Sequence, residues 1–353
     1  MLKPNLAPLR ARVLSVTPLL SLLCTTAMAE GLAPPSENLH RATNNIIVAV
    51  VQEINLPELN ATGADANGSF SVAMQSDLFG REPAPTKLSL RAPNWVLAQL
   101  SKGARYVIAY TAYSSNPMMS ESVVLDPKGP MVLMDPGIEP AIFKDSASTR
   151  LMLARAPQER EIESRAYLDR VLAGFANSDP QIQSYFAAEL SYRPELLEKL
   201  SASDVLHVRQ LLASPDAHPS ARAQLLEVAT NAGDRFDDAW LQDYASQLLG
   251  SLDISGHSVA GDLTGALAQS AFAAIEKRKL SVALPKLARW IASDTPGLAE
   301  FALLAIRRQA PAQEVTLIRQ TLERSLLNNA TREFLIDHLR RLEIMNATLQ
   351  SNS

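Results

Sequence analysis

Hydrophobic and polar positions fall into two regimes along this chain. From Asn45 to about Met134, apolar residues come in short runs or alternate with polar ones. From about Asp145 onward they recur at helical spacing to the end. Ile46-Ile47-Val48-Ala49-Val50-Val51 is a β-branched run. Ser69-Phe70-Ser71-Val72-Ala73-Met74 alternates as a half-buried strand does, and Lys87-Leu88-Ser89-Leu90-Arg91 alternates again. Residues 94–101, carrying Trp95, Val96, Leu97 and Leu100, predict one or two helical turns stopped by Gly103. Residues 106–113 are the clearest strand pattern. Residues 122–125 and 131–134 follow as strands, split by the turn Asp126-Pro127-Lys128-Gly129. Residues 56–68 and the stretch around Pro83 and Pro85 read as connections. Residues 30–44, with Pro34-Pro35, read as a flexible lead-in.

The predicted order is three strands, a short helix, then two or three strands, which suits a small Greek-key barrel. Over about residues 45–135 it resembles the OB-like barrels, including the netrin/tissue-inhibitor-like type, without the disulfides of the extracellular members. Pro136, Gly137 and Pro140 punctuate the boundary to the helical half, so the β domain is expected over 45–140 and the helical domain over 145–353.

A phrase recurs in that half. Ser178-Asp179-Pro180 precedes Ile182, Phe186-Ala187-Ala188 and Leu190; Ala217-His218-Pro219 precedes Leu225-Leu226 and Ala229; Asp294-Thr295-Pro296 precedes Ala302-Leu303-Leu304 and Ile306. Gly256-His257-Ser258 opens a weaker copy before Ala266-Leu267-Ala268, and a last helix is expected from about Asn329. The anchors at 180, 219, 258 and 296 are spaced 39, 39 and 38 residues apart. An Asp or Ser accepts from unpaired N–H groups at a helix start, and Pro is tolerated in the first turn. Second helices are expected near 196–200 with 205–212, then 239–249, 282–292 and 315–327. Two helices per ~40 residues resemble HEAT-like repeats over about residues 160–345, although the Val-Arg pair usual in such repeats is degraded here. The expected fold class is therefore α+β and multidomain: a small N-terminal barrel followed by a HEAT-like helical array.

The N-terminus changes the chemistry available. Lys3, Arg10 and Arg12 precede an apolar stretch over 13–29 that ends Ala27-Met28-Ala29, the pattern of a secretory signal peptide cut after Ala29. Leu23 precedes Cys24 where a lipoprotein signal would place a small residue. The only Cys leaves with the leader, so the mature chain has neither a disulfide nor a thiol ligand. The leader holds three basic residues and no acidic one, which leaves 30 basic against 37 acidic, a net of −7. That balance argues against general nucleic-acid or anionic-membrane binding. No second stretch is long and apolar enough to suggest a membrane span. Periplasmic or secreted placement is expected. The Asn-x-Ser/Thr sequons at Asn60, Asn67, Asn329 and Asn346 are read as chance.

Few residues suggest catalysis. Gly256-His257-Ser258-Val259-Ala260-Gly261 is similar to the serine-hydrolase nucleophile elbow, but its second Gly is one residue late and a helix, not a strand, precedes it. His40, His207, His218, His257 and His338 show no i,i+4 metal spacing. Asp237-Asp238 reads as the start of the helix carrying Trp240. Glu159, Glu161 and Glu163, interleaved with Arg155, Arg160 and Arg165, read as a solvated helix face. Arg307-Arg308 and Arg340-Arg341 complement helix ends, with an acidic-partner groove as the other reading. Trp240, Tyr244 and Trp290 read as core. Phosphate, dinucleotide and calcium motifs are absent from the sequence, and no cofactor is expected.

The leading expectation is an exported cell-envelope interaction or scaffold protein without catalytic activity, binding another envelope protein through its helical surface. A second is a glycan- or peptide-binding module on the β domain, marked by exposed aromatics among Trp95, Tyr110 and Tyr113. A third is an enzyme with an interdomain site.

Overall fold

The computed structural model describes residues 33–57, 67–80, 83–112, 128–134, 140–158, 162–257 and 262–351. The expected leader with its cleavage point, and the strand expected over 122–125, lie outside these residues.

Helix α1 (Pro35–Ala42) leads into β1 (Asn45–Asn55). Strand β1 pairs antiparallel with β2 (Asn67–Gly80), which pairs antiparallel with β3 (Lys87–Pro93). The short helix α2 (Asn94–Leu97) separates β3 from β4 (Arg105–Thr111), and β4 returns antiparallel to the other edge of β1. The two-residue β5 (Met131–Val132) closes the ring, parallel to β3 through Arg91 and antiparallel to β4 through Tyr110 and Thr111. The result is a closed five-stranded barrel in the order β1-β2-β3-β5-β4. Strand β6 (Ile142–Lys144) pairs with the first half of β4. Register shifts in β1–β2 at Ile46/Ile47, Val48/Ala49 and Val51/Glu53 add the local twist that closure of so small a sheet needs.

The β1 run is apolar on both faces because both faces are covered. Ile47, Ala49 and Val51 point into the barrel with Phe70, Val72, Leu90 and Ile108. Ile46 and Val48 point outward, against Leu39 of α1, Phe143 of β6, Leu153 and Tyr185. Gly68 sits where strands and α2 converge: a Cβ there would lie 2.4 Å from the Asn55 carbonyl oxygen and 2.6 Å from Leu97.

Helix α3 (Ala147–Arg155) starts at the Ser146 cap and ends in a 3₁₀ turn, Ala156–Gln158. Then come α4 (Arg165–Gly174), α5 (Pro180–Ser191), α6 (Pro194–Leu197), α7 (Ala202–Ala213), α8 (Pro219–Asn231) and α9 (Asp238–Ser251). They are followed by α10 (Leu263–Lys277), α11 (Leu284–Trp290), α12 (Pro296–Gln309), α13 (Glu314–Arg324) and α14 (Asn329–Ser351). Helices α5, α8, α10, α12 and α14 pack against one another in succession, and one apolar core runs from Tyr167 to Leu335. The chain is thus mixed α+β, with a small barrel near its N-terminus and a largely helical remainder.

Four local expectations are corrected. Residues 35–42, read as part of a flexible lead-in, form a packed helix with Leu39 fully buried. Pro34-Pro35 marks a helix start, with Pro at the first helical position, not only a turn. The Glu163 region is no helical face: Pro157 stops α3, residues 162–164 form a turn, and α4 starts only after the Ser164 cap. Glu159, Arg160 and Glu161 lie outside the described residues. Pro opens α5, α8 and α12, but only Asp179 caps with its side chain; His218 and Thr295 do not. The third start is displaced: α10 begins at Leu263, where Asp262 accepts from the N–H groups of Thr264 and Gly265.

Candidate functional site

The most unusual chemistry lies where α1 meets the helical half. Glu189 sits on α5 within Tyr185-Phe186-Ala187-Ala188-Glu189-Leu190, a segment otherwise apolar, and is fully buried. An isolated buried carboxylate is costly, so it has to be surrounded by donors. It accepts from the Ser36 backbone N–H at 3.0 Å, the Ser36 hydroxyl at 2.8 Å, the Tyr167 hydroxyl at 2.6 Å and Arg193 Nε at 2.5 Å. Arg193, one helical turn on, also donates to Ser36 Oγ at 2.9 Å and to Glu195. Ser36 lies in the first turn of α1, where unpaired N–H groups and the helix dipole favour an anion. Burial, reinforced by the charge of Glu189, holds the Tyr167 phenol well above its usual value, so it stays protonated and donates. These four side chains latch α1, and through it the barrel, onto the helical half.

Beside this latch opens a cleft of about 240 Å³ between α3, α4 and α5. Leu151, Met152, Ile182, Tyr185 and Phe186 form its apolar wall. Leu151 is about half exposed, at 52 %. Tyr167 is shared between the cleft and the latch. Among the described residues, two cations, Arg155 and Arg170, line the cleft and no carboxylate does. The Arg170 guanidinium lies over the Tyr167 ring, 5.1 Å from its centroid. Phe186 packs edge-on against Tyr185 and fills the space beside Gly174, where a Cβ would fall 2.0 Å from the ring. This glycine is what lets the end of α4 approach the cleft wall.

The other candidates have structural tasks. His257 is wedged with Nδ1 2.5 Å from Asp262 Oδ2 and Nε2 2.7 Å from the Asp253 carbonyl, its ring stacked on Trp290. Burial opposes its charge, but the two acceptors and the nearby Asp294 outweigh burial and raise its pKa. With both ring nitrogens facing acceptors, it is a clip and has no nitrogen left to act as a base; Ser258 lies outside the described residues. His338 Nε2 is 3.0 Å from Glu314, which also takes a two-pronged bond from Arg307 at 2.7 and 2.9 Å. Arg308 donates to the carbonyls of Ile275 and Leu280. Arg307-Arg308 is therefore internal fastening, while Arg340 pairs with Asp337 on the surface. His40 bonds the Pro157 carbonyl, His207 sits edge-on to Phe175, and His218 is held below its usual pKa by burial. Asp237 caps α9 and Asp238 pairs with Arg278. Trp290 is fully buried, whereas Trp240 is half-buried, stacked on Tyr244 under Arg209. Tyr110 is buried in the barrel and donates to Asn45; Trp95 is half-buried against the barrel core; Tyr113 lies outside the described residues. Among the described residues no group of three or more His, Cys, Asp or Glu side chains is placed to hold a metal. No helix among them is long and apolar enough to cross a membrane.

Neither cleft nor latch was singled out from the sequence. The signal for the latch was there: a Glu in an apolar helical segment, with Arg at i+4. Comparison with known proteins gives no matching family model, no similar curated protein and no similar solved structure, so the site is read from its own chemistry.

Proposed function

We propose that this chain is an exported cell-envelope interaction protein, non-enzymatic, that binds another envelope protein through its helical half. The observation that carries the reading is the cleft beside the latch: an open apolar surface, edged by two arginines, on a rigidly anchored part of the fold. Two of its hydroxyl groups are already engaged: that of Tyr167 with Glu189, and that of Ser148 with that of Ser146. Such a surface holds a partner and offers no activated nucleophile.

The architecture supports the same reading. We take the helical half as a HEAT-like array, on the ground that a set of long-range bonds recurs at separations of 38–41 residues. Arg165 reaches Asp204, 39 residues on; Arg278 reaches Asp238 across 40; Lys286 reaches Ser246 across 40; Arg289 reaches the Gly250 carbonyl across 39. Trp290 donates to the Leu249 carbonyl across 41, the Gly256 N–H donates to Asp294 across 38, and Thr331 donates to the Ser293 carbonyl across 38. These separations lie within two or three residues of the 38–39-residue spacing of the proline anchors, as expected when each unit grips the next in a similar way. We take the barrel, with its strand order and its helix between β3 and β4, as OB-like.

The test is in-cell crosslinking of the tagged chain in the envelope fraction, followed by mass spectrometry. A dominant, saturable protein partner is expected. Its absence at every crosslinker length refutes the interaction reading, and a mature N-terminus still at Met1 refutes export.

A further inference from the structure

We infer that a second cleft, between α7 and α9, is the docking point for an acidic side chain of the partner: an aspartate or glutamate carried beside a bulky apolar residue. The inference rests on the interaction reading and names what the partner presents there.

The cleft measures about 460 Å³, within the roughly 300–1,000 Å³ of ligand pockets. Leu200, Val205 and Leu206 give it an apolar side, and Arg209 and Arg235 a cationic one. Arg209 is what makes it a receptor. Its guanidinium lies over the Trp240 ring, 4.7 Å from the centroid, with the Phe236 ring at 5.9 Å. Its Nε is buried and meets no acceptor, and the side chain makes no hydrogen bond or ion pair with any described residue. Within the described fold, then, π faces alone compensate this charge. Asp204, the one carboxylate on α7, is taken up by the Arg165 fork and by the Ser201 N–H. Stacking fixes the plane of the Arg209 fork without using its donors, so a carboxylate can be held at little further cost in side-chain freedom. Arg235, in the 3₁₀ turn Gly233–Arg235, donates to the Glu198 carbonyl, which holds its guanidinium in the lining.

The apolar side selects what carries the anion. Leu206 is 56 % exposed beside this cation. An inorganic anion would satisfy the fork and leave Leu206 in water, and a purely apolar ligand would do the reverse. A carboxylate next to an apolar side chain meets both, with burial of Leu206 adding to the charge contact. Ser201, Ala202 and Leu206 are all exposed, so the cleft is open where a longer chain would continue past it.

The experiment is fluorescence polarisation with the purified full-length chain and a fluorescein-labelled, C-terminally amidated heptapeptide centred on Leu-Glu-Phe. The same peptide with Gln for Glu is the neutral control, and 4-phenylbutyrate, followed by the chain's tryptophan emission, is a separate probe. Saturable binding of the Glu peptide is expected, weakened about tenfold or more in the Gln peptide, because a charge-assisted contact is lost. Arg209→Gln is expected to erase that preference, and Leu206→Asp, at an exposed position, to weaken both peptides. Thermal melts confirm that both variants fold. Equal binding of the two peptides overturns the inference. So does a preference that survives Arg209→Gln, the result expected if Arg209 only pins α7 to α9. Binding of 4-phenylbutyrate without peptide binding overturns it in favour of a free small acid. Silence from every probe also overturns it. The interaction reading fails separately. An envelope partner that crosslinks while no peptide binds leaves that reading standing without this site. Peptide binding with no crosslinked partner leaves the site standing without that reading.

Discussion

Removing the carboxylate at the centre of the latch, Glu189→Ala, should be among the most damaging single changes in the described chain. Glu189 is fully buried and Arg193 is only 4 % exposed, so neither charge has water to fall back on. Taking out one partner of a buried pair strands the other, at a cost of about 3–5 kcal/mol. The Tyr167 hydroxyl, the Ser36 hydroxyl and the Ser36 N–H lose their acceptor at the same time. Scaled by roughly 2–4 °C per kcal/mol, and taking the lower end for a chain of this length, the melting temperature should fall by about 6–10 °C. Ser36→Ala removes one hydroxyl but leaves the ion pair and the N–H contact, so about 1–3 kcal/mol is expected.

The decisive variant is the double replacement Glu189→Leu with Arg193→Met. Replacing a buried pair with apolar groups of similar volume removes both desolvation penalties and is often near neutral. The double variant should therefore be more stable than Glu189→Ala alone. Equilibrium urea unfolding followed by circular dichroism reads all of these. A double variant as unstable as the single one would refute the claim that the stranded charge is the source of the loss. A Glu189→Ala cost under about 1 kcal/mol would mean that the carboxylate is solvated, and the latch as described would not exist.

Further outcomes follow from the same geometry. Gly174→Ala should destabilise by about 1–3 kcal/mol although Ala is the better helix former, because its Cβ meets the Phe186 ring at 2.0 Å. Gly250→Ala, which meets only the flexible Lys286 chain at 3.5 Å, should instead gain up to about 1 kcal/mol, and thermal melts compare the two signs. The pKa of His257 is raised in the fold, so its contribution is complete below the ordinary histidine value of about 6.5 and is lost as pH rises through the folded value. The stability difference between wild type and His257→Gln should therefore shrink from pH ~6 upward. Asp262, lowered by bonds to His257, Gly265 and Thr264 that outweigh its burial, acts oppositely: its contribution fades as pH falls below ~4. Arg307→Glu should lower the melting temperature by several degrees by leaving buried Glu314 without its two-pronged partner, whereas Arg340→Glu, exposed beside Asp337, should leave it nearly unchanged.

The parts of this fold that periodicity governs were readable; those that depend on meetings between distant segments were not. The β-branched run of β1 and the alternation of β2 and β3 marked strands directly, and the apolar spacing of α5, α8 and α12 marked helices with Pro at their starts. The strand order was legible as a small barrel and residues 131–134 as one of its strands, but that only Met131-Val132 pair, and with Arg91, Tyr110 and Thr111, was not, because pairing depends on distant segments. At α1 the dipeptide Pro34-Pro35 fits both a turn and a helix start. What decides is Leu39 burying itself against Ile46 and Val107, a contact no local pattern reveals. The cleft was hidden for the same reason: Leu151, Arg170 and Phe186 belong to three helices and share no motif.

The joint between barrel and helices combines the two kinds of contact with different tasks. Leu39 supplies the apolar burial that holds α1 down, but a leucine on an apolar surface tolerates sliding. Polar contacts at both ends of the helix set its position. At one end Ser36 is fixed by Glu189 and Arg193. At the other, the Asn44 N–H donates to the Tyr110 carbonyl, the Asn44 side chain accepts from the Ala112 N–H, and Asn45 accepts from the Tyr110 hydroxyl while donating to Asp77. Burial and the nearby charge of Asp77 push that hydroxyl up to about 12, so it remains a donor throughout the neutral range. A shift of α1 by a single residue would break directional bonds on both the barrel and the helical side. Such a joint holds α3 and α5 in one relation to the barrel, and these helices, with α4, are the walls of the cleft. The rigidity that a binding surface needs in order to select a partner by shape and charge thus arises outside the cleft itself, from a helix that never touches what the cleft would hold.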